Sequence, residues 1–164
     1  MKVAIIAFLL ALPAFAQTAP APSAAACGPE KSSFDVKLNT SQHVLAQPDS
    51  GKALMYFILD VGDLHMGPAV LTRVGLDGAW VGVDKYSSYF SVPVEPGEHH
   101  MCSILSSKFL GHLVEFTHFT AEAGKVYYFR ARYLSGFLSI DAVDSDEAWY
   151  LIDRYPQSIS QPKK

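Results

Sequence analysis

Between Phe34 and Val143 the apolar residues recur at every second position, in short runs separated by turn-forming residues. Successive side chains of an extended chain point to opposite faces, so this alternation buries one face of a strand and wets the other. Phe34, Val36 and Leu38 alternate with Asp35 and Lys37, and Phe90, Val92 and Val94 alternate with Tyr89, Ser91 and Pro93. One run departs from the rule. "ALMYFILDV", from Ala53, is apolar almost throughout. It is short for a helix and β-rich, which predicts a central strand buried on both faces.

Turn chemistry places the breaks. Asp77-Gly78 suits a two-residue type I′ hairpin, which needs φ > 0 at both central positions. In that register Leu76 faces Ala79, Gly75 faces Trp80 and Val74 faces Val81. Val74, Leu76, Ala79, Val81 and Val83 then share one face, and Trp80 covers the bare backbone of Gly75. Glu95-Pro96-Gly97-Glu98 suits a type II turn, with "HHMCSIL" returning as the partner strand. Pro93 has no amide to donate, so its strand is expected to have a free side there. "VLTRVGL", "HLVEFTHFTA", "VYYFRARYL" and "GFLSIDAV" complete the strand-like segments. Only near the end does the period lengthen. Ala148, Leu151, Ile152 and Tyr155 stand at helical spacing, Asp144 and Glu147 form a capping box, and Pro156 stops the run. The expectation is a mainly-β chain: an antiparallel β-sandwich of about nine strands with one short C-terminal α-helix over 144–155. It predicts a single domain over 33–156 and a flexible tail over 157–164.

The N-terminal residues predict export. Met1-Lys2, the apolar "VAIIAFLLALPAF" and Ala14-Phe15-Ala16 have the layout of a signal peptide over 1–16. Of 164 residues, 148 remain after such a leader, enough for one domain with a core. Residues 17–32 are Ala/Pro-rich and read as an extended arm. Cys27 and Cys102, the only cysteines, are expected to form a disulfide in an oxidising compartment and tie that arm down. "AAAC" before Cys27 also has the small residues of a lipidation box, but the Pro-containing stretch after Ala16 separates it from the apolar run, which argues against lipid anchoring there.

Charge narrows the partners. The chain has 13 Lys and Arg against 16 Asp and Glu; without Lys2 its net charge is −4. No basic patch suits nucleic acid, and no basic amphipathic segment suits an anionic membrane. After the leader no further apolar run is long enough to span a bilayer.

"VGLDGAWVG", "YFSVPVEPGEHHM" and "FTAEAGKVYYFRARY", in that order and spacing, resemble a bacterial family of exported domains of unknown function with PEGA-like β-sandwich motifs. The resemblance covers about Ala53 to Val143. It implies a small sandwich exported to, or anchored in, the cell envelope. The positions it carries over are Asp77, Gly78, Gly82, Pro96, Gly97, His99, Gly124 and Tyr128, with structural roles in turns and strands. The chain departs from the pattern in lacking a convincing lipid-attachment cysteine.

Few residues suggest chemistry. Trp80, Tyr86 and Tyr89 are the candidate partner or ligand face, because aromatics exposed on a sheet stack on sugars or seat a partner protein; the alternative is packing over glycines and under the arm. His100 and Cys102 share a strand face, and His118 on the next strand approaches them, which makes a candidate copper or zinc set; a disulfide would consume Cys102. Tyr128, Arg130 and Arg132 share a face of the kind found at interfaces. No Gly-x-Ser-x-Gly and no His-Glu-x-x-His occurs. The expected protein is therefore non-enzymatic and cofactor-free, a binding or structural module in the periplasm or outside the cell, with an envelope protein or glycan as partner. The alternative is a periplasmic metal-binding protein.

Overall fold

β2(Ala53–Asp60) is the hub of the fold, and its unbroken apolar run explains why. Ala53, Met55, Phe57 and Leu59 face a second sheet, whereas Leu54, Tyr56 and Ile58 face a helix, so both sides are buried. The structure, a computed structural model, describes residues 26–41, 45–62 and 70–163. The predicted signal peptide and the arm before Ala26 lie outside them.

Ten strands are present among the described residues, in two sheets. With β1(Phe34–Asn39), β5(Ser88–Val94), β8(Val126–Leu134), β9(Phe137–Ala142) and β10(Gln157–Pro162), the first sheet has the order β1-β10-β5-β2-β8-β9. β3(Leu71–Leu76), β4(Ala79–Lys85), β6(Gly97–Ser107) and β7(Gly111–Ala121) form the second, in the order β4-β3-β6-β7. The two pack face to face as a sandwich. Helix α1(Ser145–Ile152) makes a third layer, laying Ala148, Leu151 and Ile152 on Leu54, Tyr56, Ile58 and Tyr89. Asp144 caps it as expected, accepting the Glu147 amide at 2.8 Å.

Four expectations need correction. First, the sandwich is not wholly antiparallel: β2 pairs antiparallel with β5 on one side and parallel with β8 on the other, and the chain reaches β8 only after crossing to the second sheet for β6 and β7. Second, β5 and β6 are not partners; the Pro96-Gly97 turn carries the chain from one sheet to the other. Third, residues 157–162 are not a loose tail but strand β10, paired with β1 along its length. Fourth, the β3–β4 hairpin contains a bulge. Leu76 faces Ala79 and Gly75 faces Trp80, but Val74 faces Gly82, leaving Val81 as the extra residue.

The bulge reverses the face assignment beyond it. Gly82 and Asp84 turn toward the other sheet, Val83 turns to the opposite face, where it is also buried, and Ala79 is exposed. A Cβ on Gly82 would lie 2.4 Å from the Phe90 ring, so only glycine lets the two sheets approach there. β5 has β10 beside it only at Tyr89, so the side of β5 at Pro93 has no strand partner among the described residues.

The disulfide is formed. Cys27 and Cys102 are bonded, with Cα atoms 5.2 Å apart. It lays the arm across the hairpin: a Cβ on Gly75 would meet Ala26 O at 2.7 Å, and one on Gly28 would meet the Trp80 ring.

Candidate binding surfaces

The three aromatics proposed as one face are not brought together. Trp80 lies under the arm, its Nε1–H donating to Pro29 O at 2.8 Å and the Arg73 guanidinium 4.8 Å from its ring centre. Tyr89 is buried on the far side of the other sheet, beside Tyr56; burial first, then the nearby Tyr56, pushes its phenol up to about 12. Only Tyr86 stays at the surface end, in the β4–β5 turn at φ 58°. The signal that separates them is the strand period: Tyr89 follows Ser88 and precedes Phe90 in a strand with both faces covered.

His100 and His118 do face each other across β6 and β7, with ring centres 6.2 Å apart. Cys102 shares their face, but its sulfur is committed to Cys27. Among the described residues no three His, Cys, Asp or Glu side chains converge on a common point.

His99 is a strut between turns. Its Nδ1 lies 2.6 Å from Asp77 Oδ2 and its Nε2 2.7 Å from Glu95 O, while the His100 amide donates to Asp77 Oδ1 at 2.8 Å. Asp77 thus closes its own turn and anchors the start of β6. The arginines of β8 are similarly occupied. Arg130 pairs with Asp60 and Glu147, and Arg132 with Asp141 at 2.9 Å. Tyr128 stacks on Tyr56. Burial pushes the Asp60 carboxyl up, but hydrogen bonds from Tyr155 and Arg130 outweigh it and hold the group below its ordinary value.

Two surfaces remain. The first is one end of the sandwich. Asp60, at the end of β2, lies opposite Arg132, near the β8–β9 turn. Leu59 pairs with Ser88, which places the β4–β5 turn at the same end. Lys85 pairs with Leu71 and Leu71 with Ser106, which adds the β6–β7 turn. The side chains at these turns are unusual: Phe109 is 79 % exposed, Leu134 71 % and Phe137 76 %. Turn tips are ordinarily polar, so "KFLG" and "LSGF" were the legible signal, and strand-by-strand reading passed over it.

The second is a groove of about 550 Å³ on the outer face of the second sheet. Phe34 and Val36 of β1 and Leu71 of β3 line it, with Lys85, Lys108 and His112 among its other residues. Among the described residues no carboxylate lines it. Ser106 Oγ lies 2.9 Å from His112 Nδ1.

Comparison with protein-family models, curated proteins and solved structures finds no match to the chain. Two coarser features of the protein stand on its own geometry. Its disulfide fits an exported protein, and among the described residues no helix is long and apolar enough to cross a membrane.

Proposed function

We propose that this chain is an exported, non-catalytic binding module of the bacterial cell envelope, periplasmic or extracellular, which presents one end of its sandwich to a partner protein. The observation that carries the reading is the exposure of Phe109, Leu134 and Phe137, all on turns at that end. Three large apolar side chains held in water have no folding role, and clustered exposed apolar groups mark interaction sites. Three of the reactive-looking residues give independent support, because they are engaged in the scaffold: Cys102 in the disulfide, His99 on Asp77, Arg130 on Asp60. The PEGA-like order of the turn motifs belongs to the same proposal.

In-cell photo-crosslinking tests it. A photoreactive residue replacing Leu134 is expected to trap one envelope protein, and the trapped band is expected to disappear when Phe109→Ser and Phe137→Ser are added. A crosslinking pattern no different from that of a probe at exposed Lys37, or recovery of the chain with reduced cysteines in the cytoplasm, would overturn the reading.

A further inference from the structure

We infer that the groove between β1 and the second sheet is a binding site for a single-chain anionic amphiphile, an alkyl tail ending in a carboxylate or phosphate. The inference rests on the binding-module reading and adds a ligand class to it.

The apolar half comes from β1. Its side chains alternate, so Phe34 and Val36 project to the side opposite Asp35 and Lys37. A strand of this pattern normally buries its apolar face completely. Here Phe34 and Val36 are only half-buried, and Leu71, which meets them from β3, is 39 % exposed. The cause is topological. β1 pairs with β10 alone among the described strands, and β10 lies against β4 through the hydroxyls of Ser158 and Ser160. That pair is thereby held over the outer face of the second sheet at a distance that leaves a trough. A volume of about 550 Å³ lies within the range of small-molecule sites.

The charged half comes from the other sheet. Lys85, Lys108 and His112 border the same trough. Among the described residues neither lysine lies within ion-pair distance of a carboxylate, whereas Lys52 and Lys163 both do. This cationic border occurs on a chain of net charge −3, so it is a local arrangement and not a reflection of overall basicity. Lys85 lies over the Tyr86 ring, 5.7 Å from its centre, and neither lysine has a carboxylate partner among the described residues; apolar residues bordered by such cations match a molecule that is apolar along its length and anionic at one end. A neutral hydrocarbon would leave the lysines unused, and a small anion would leave Phe34, Val36 and Leu71 in water.

The test is calorimetric titration of the disulfide-intact protein with laurate, dodecyl phosphate and dodecyltrimethylammonium, each below its micelle concentration. Laurate or dodecyl phosphate is expected to bind saturably at one site per chain, the tighter of the two identifying the headgroup; the cationic analogue is expected not to bind there. Lys85→Gln with Lys108→Gln should weaken anion binding about tenfold, roughly threefold for each charge-assisted contact removed. Lys108 is exposed and Lys85 half-buried, and an unchanged thermal midpoint will show that the variant is folded. Val36→Asn, read in the same way, should abolish binding through the tail alone. Absence of saturable binding, equal binding of the cationic analogue, or indifference to the lysine variant would overturn the inference. A protein that binds no amphiphile yet still crosslinks through Leu134 would sink the groove and leave the binding-module reading standing.

Discussion

Asp84 shows what a single side chain can hide. It is fully buried between the sheets; Ser88 donates to its Oδ1 at 2.9 Å, and its Oδ2 has no partner among the described residues. Burial pushes its carboxyl well above the ordinary value, and the Ser88 hydrogen bond only partly offsets this. The folded chain therefore holds the proton more tightly than the unfolded chain. The contribution of Asp84 to stability is greatest at low pH and falls as pH rises through the unfolded value of about 4, levelling off only above the folded one. Asp84→Asn removes the ionisation and is expected to raise unfolding stability near neutral pH by at least about 1 kcal/mol, since each unit by which folding raises the carboxyl is worth about 1.4 kcal/mol, with much less gain near pH 3. Asp60 has the opposite sign: its lowered carboxyl stabilises above the unfolded value and loses that contribution as pH falls through the folded one. Urea titrations of the Asp84 variant at both pH values check the prediction, and equal effects at both would refute it. Sequence reading could not see this acid. Alternation placed Asp84 outside, opposite Val83, and one bulged residue at Val81 exchanged them. By contrast, the cap at Asp144 and the turn at Asp77-Gly78 were legible because each depends on local geometry.

At the scale of elements, β2 was readable because burial on both faces removes polar residues from the sequence. β10 was not readable, for the converse reason. "QSISQP" holds one apolar residue, Ile159, and that residue is exposed. What binds β10 to the body is hydroxyl chemistry. Ser158 Oγ donates to Val83 O at 2.6 Å, and Ser160 Oγ accepts from the Val83 amide at 3.1 Å. These two serines occupy the edge of β4, which would otherwise expose unpaired backbone groups. Removal of residues 157–164 is therefore expected to cost at least about 2 kcal/mol, from these two bonds alone, and to strip β1 of its strand partner. Hydrogen exchange gives the specific readout: amides of Phe34–Asn39 should exchange as in an unstructured chain, while β2 and β6 stay protected. Retained protection of β1 in the shortened chain would show that β10 is dispensable. The same exposure of pairing explains why the order of strands was not legible: parallel pairing of β2 with β8 joins residues far apart in sequence, and no local pattern records which edges meet.

For the whole molecule, the disulfide determines how much of the chain behaves as one body. It joins residues 75 apart, and loop-closure entropy alone assigns such a link roughly 4 kcal/mol. Its position adds a packing role. The arm it holds lies on Gly75 and Gly28, covers Trp80 and accepts the indole N–H at Pro29 O. Trp80 is one of only two tryptophans, and the other, Trp149, is on the helix at the opposite face, far from the arm in the layer order. Replacing both cysteines by serine is thus expected to do two separable things. Unfolding stability should fall by roughly 2–5 kcal/mol, as for other native disulfides of small exported domains. Under conditions where the variant remains folded, tryptophan emission should shift to longer wavelength as the arm lifts and water reaches Trp80. The shift should be absent in the same variant carrying Trp80→Phe, since Trp149 keeps its surroundings. A destabilised variant with unshifted emission would mean that the arm stays on the sheet without its covalent link, held by the Gly78 amide on Ala26 O at 3.2 Å and by Arg73 on the Glu30 and Ser32 carbonyls. The two outcomes distinguish a disulfide that only shortens the unfolded chain from one that also places the arm against the second sheet.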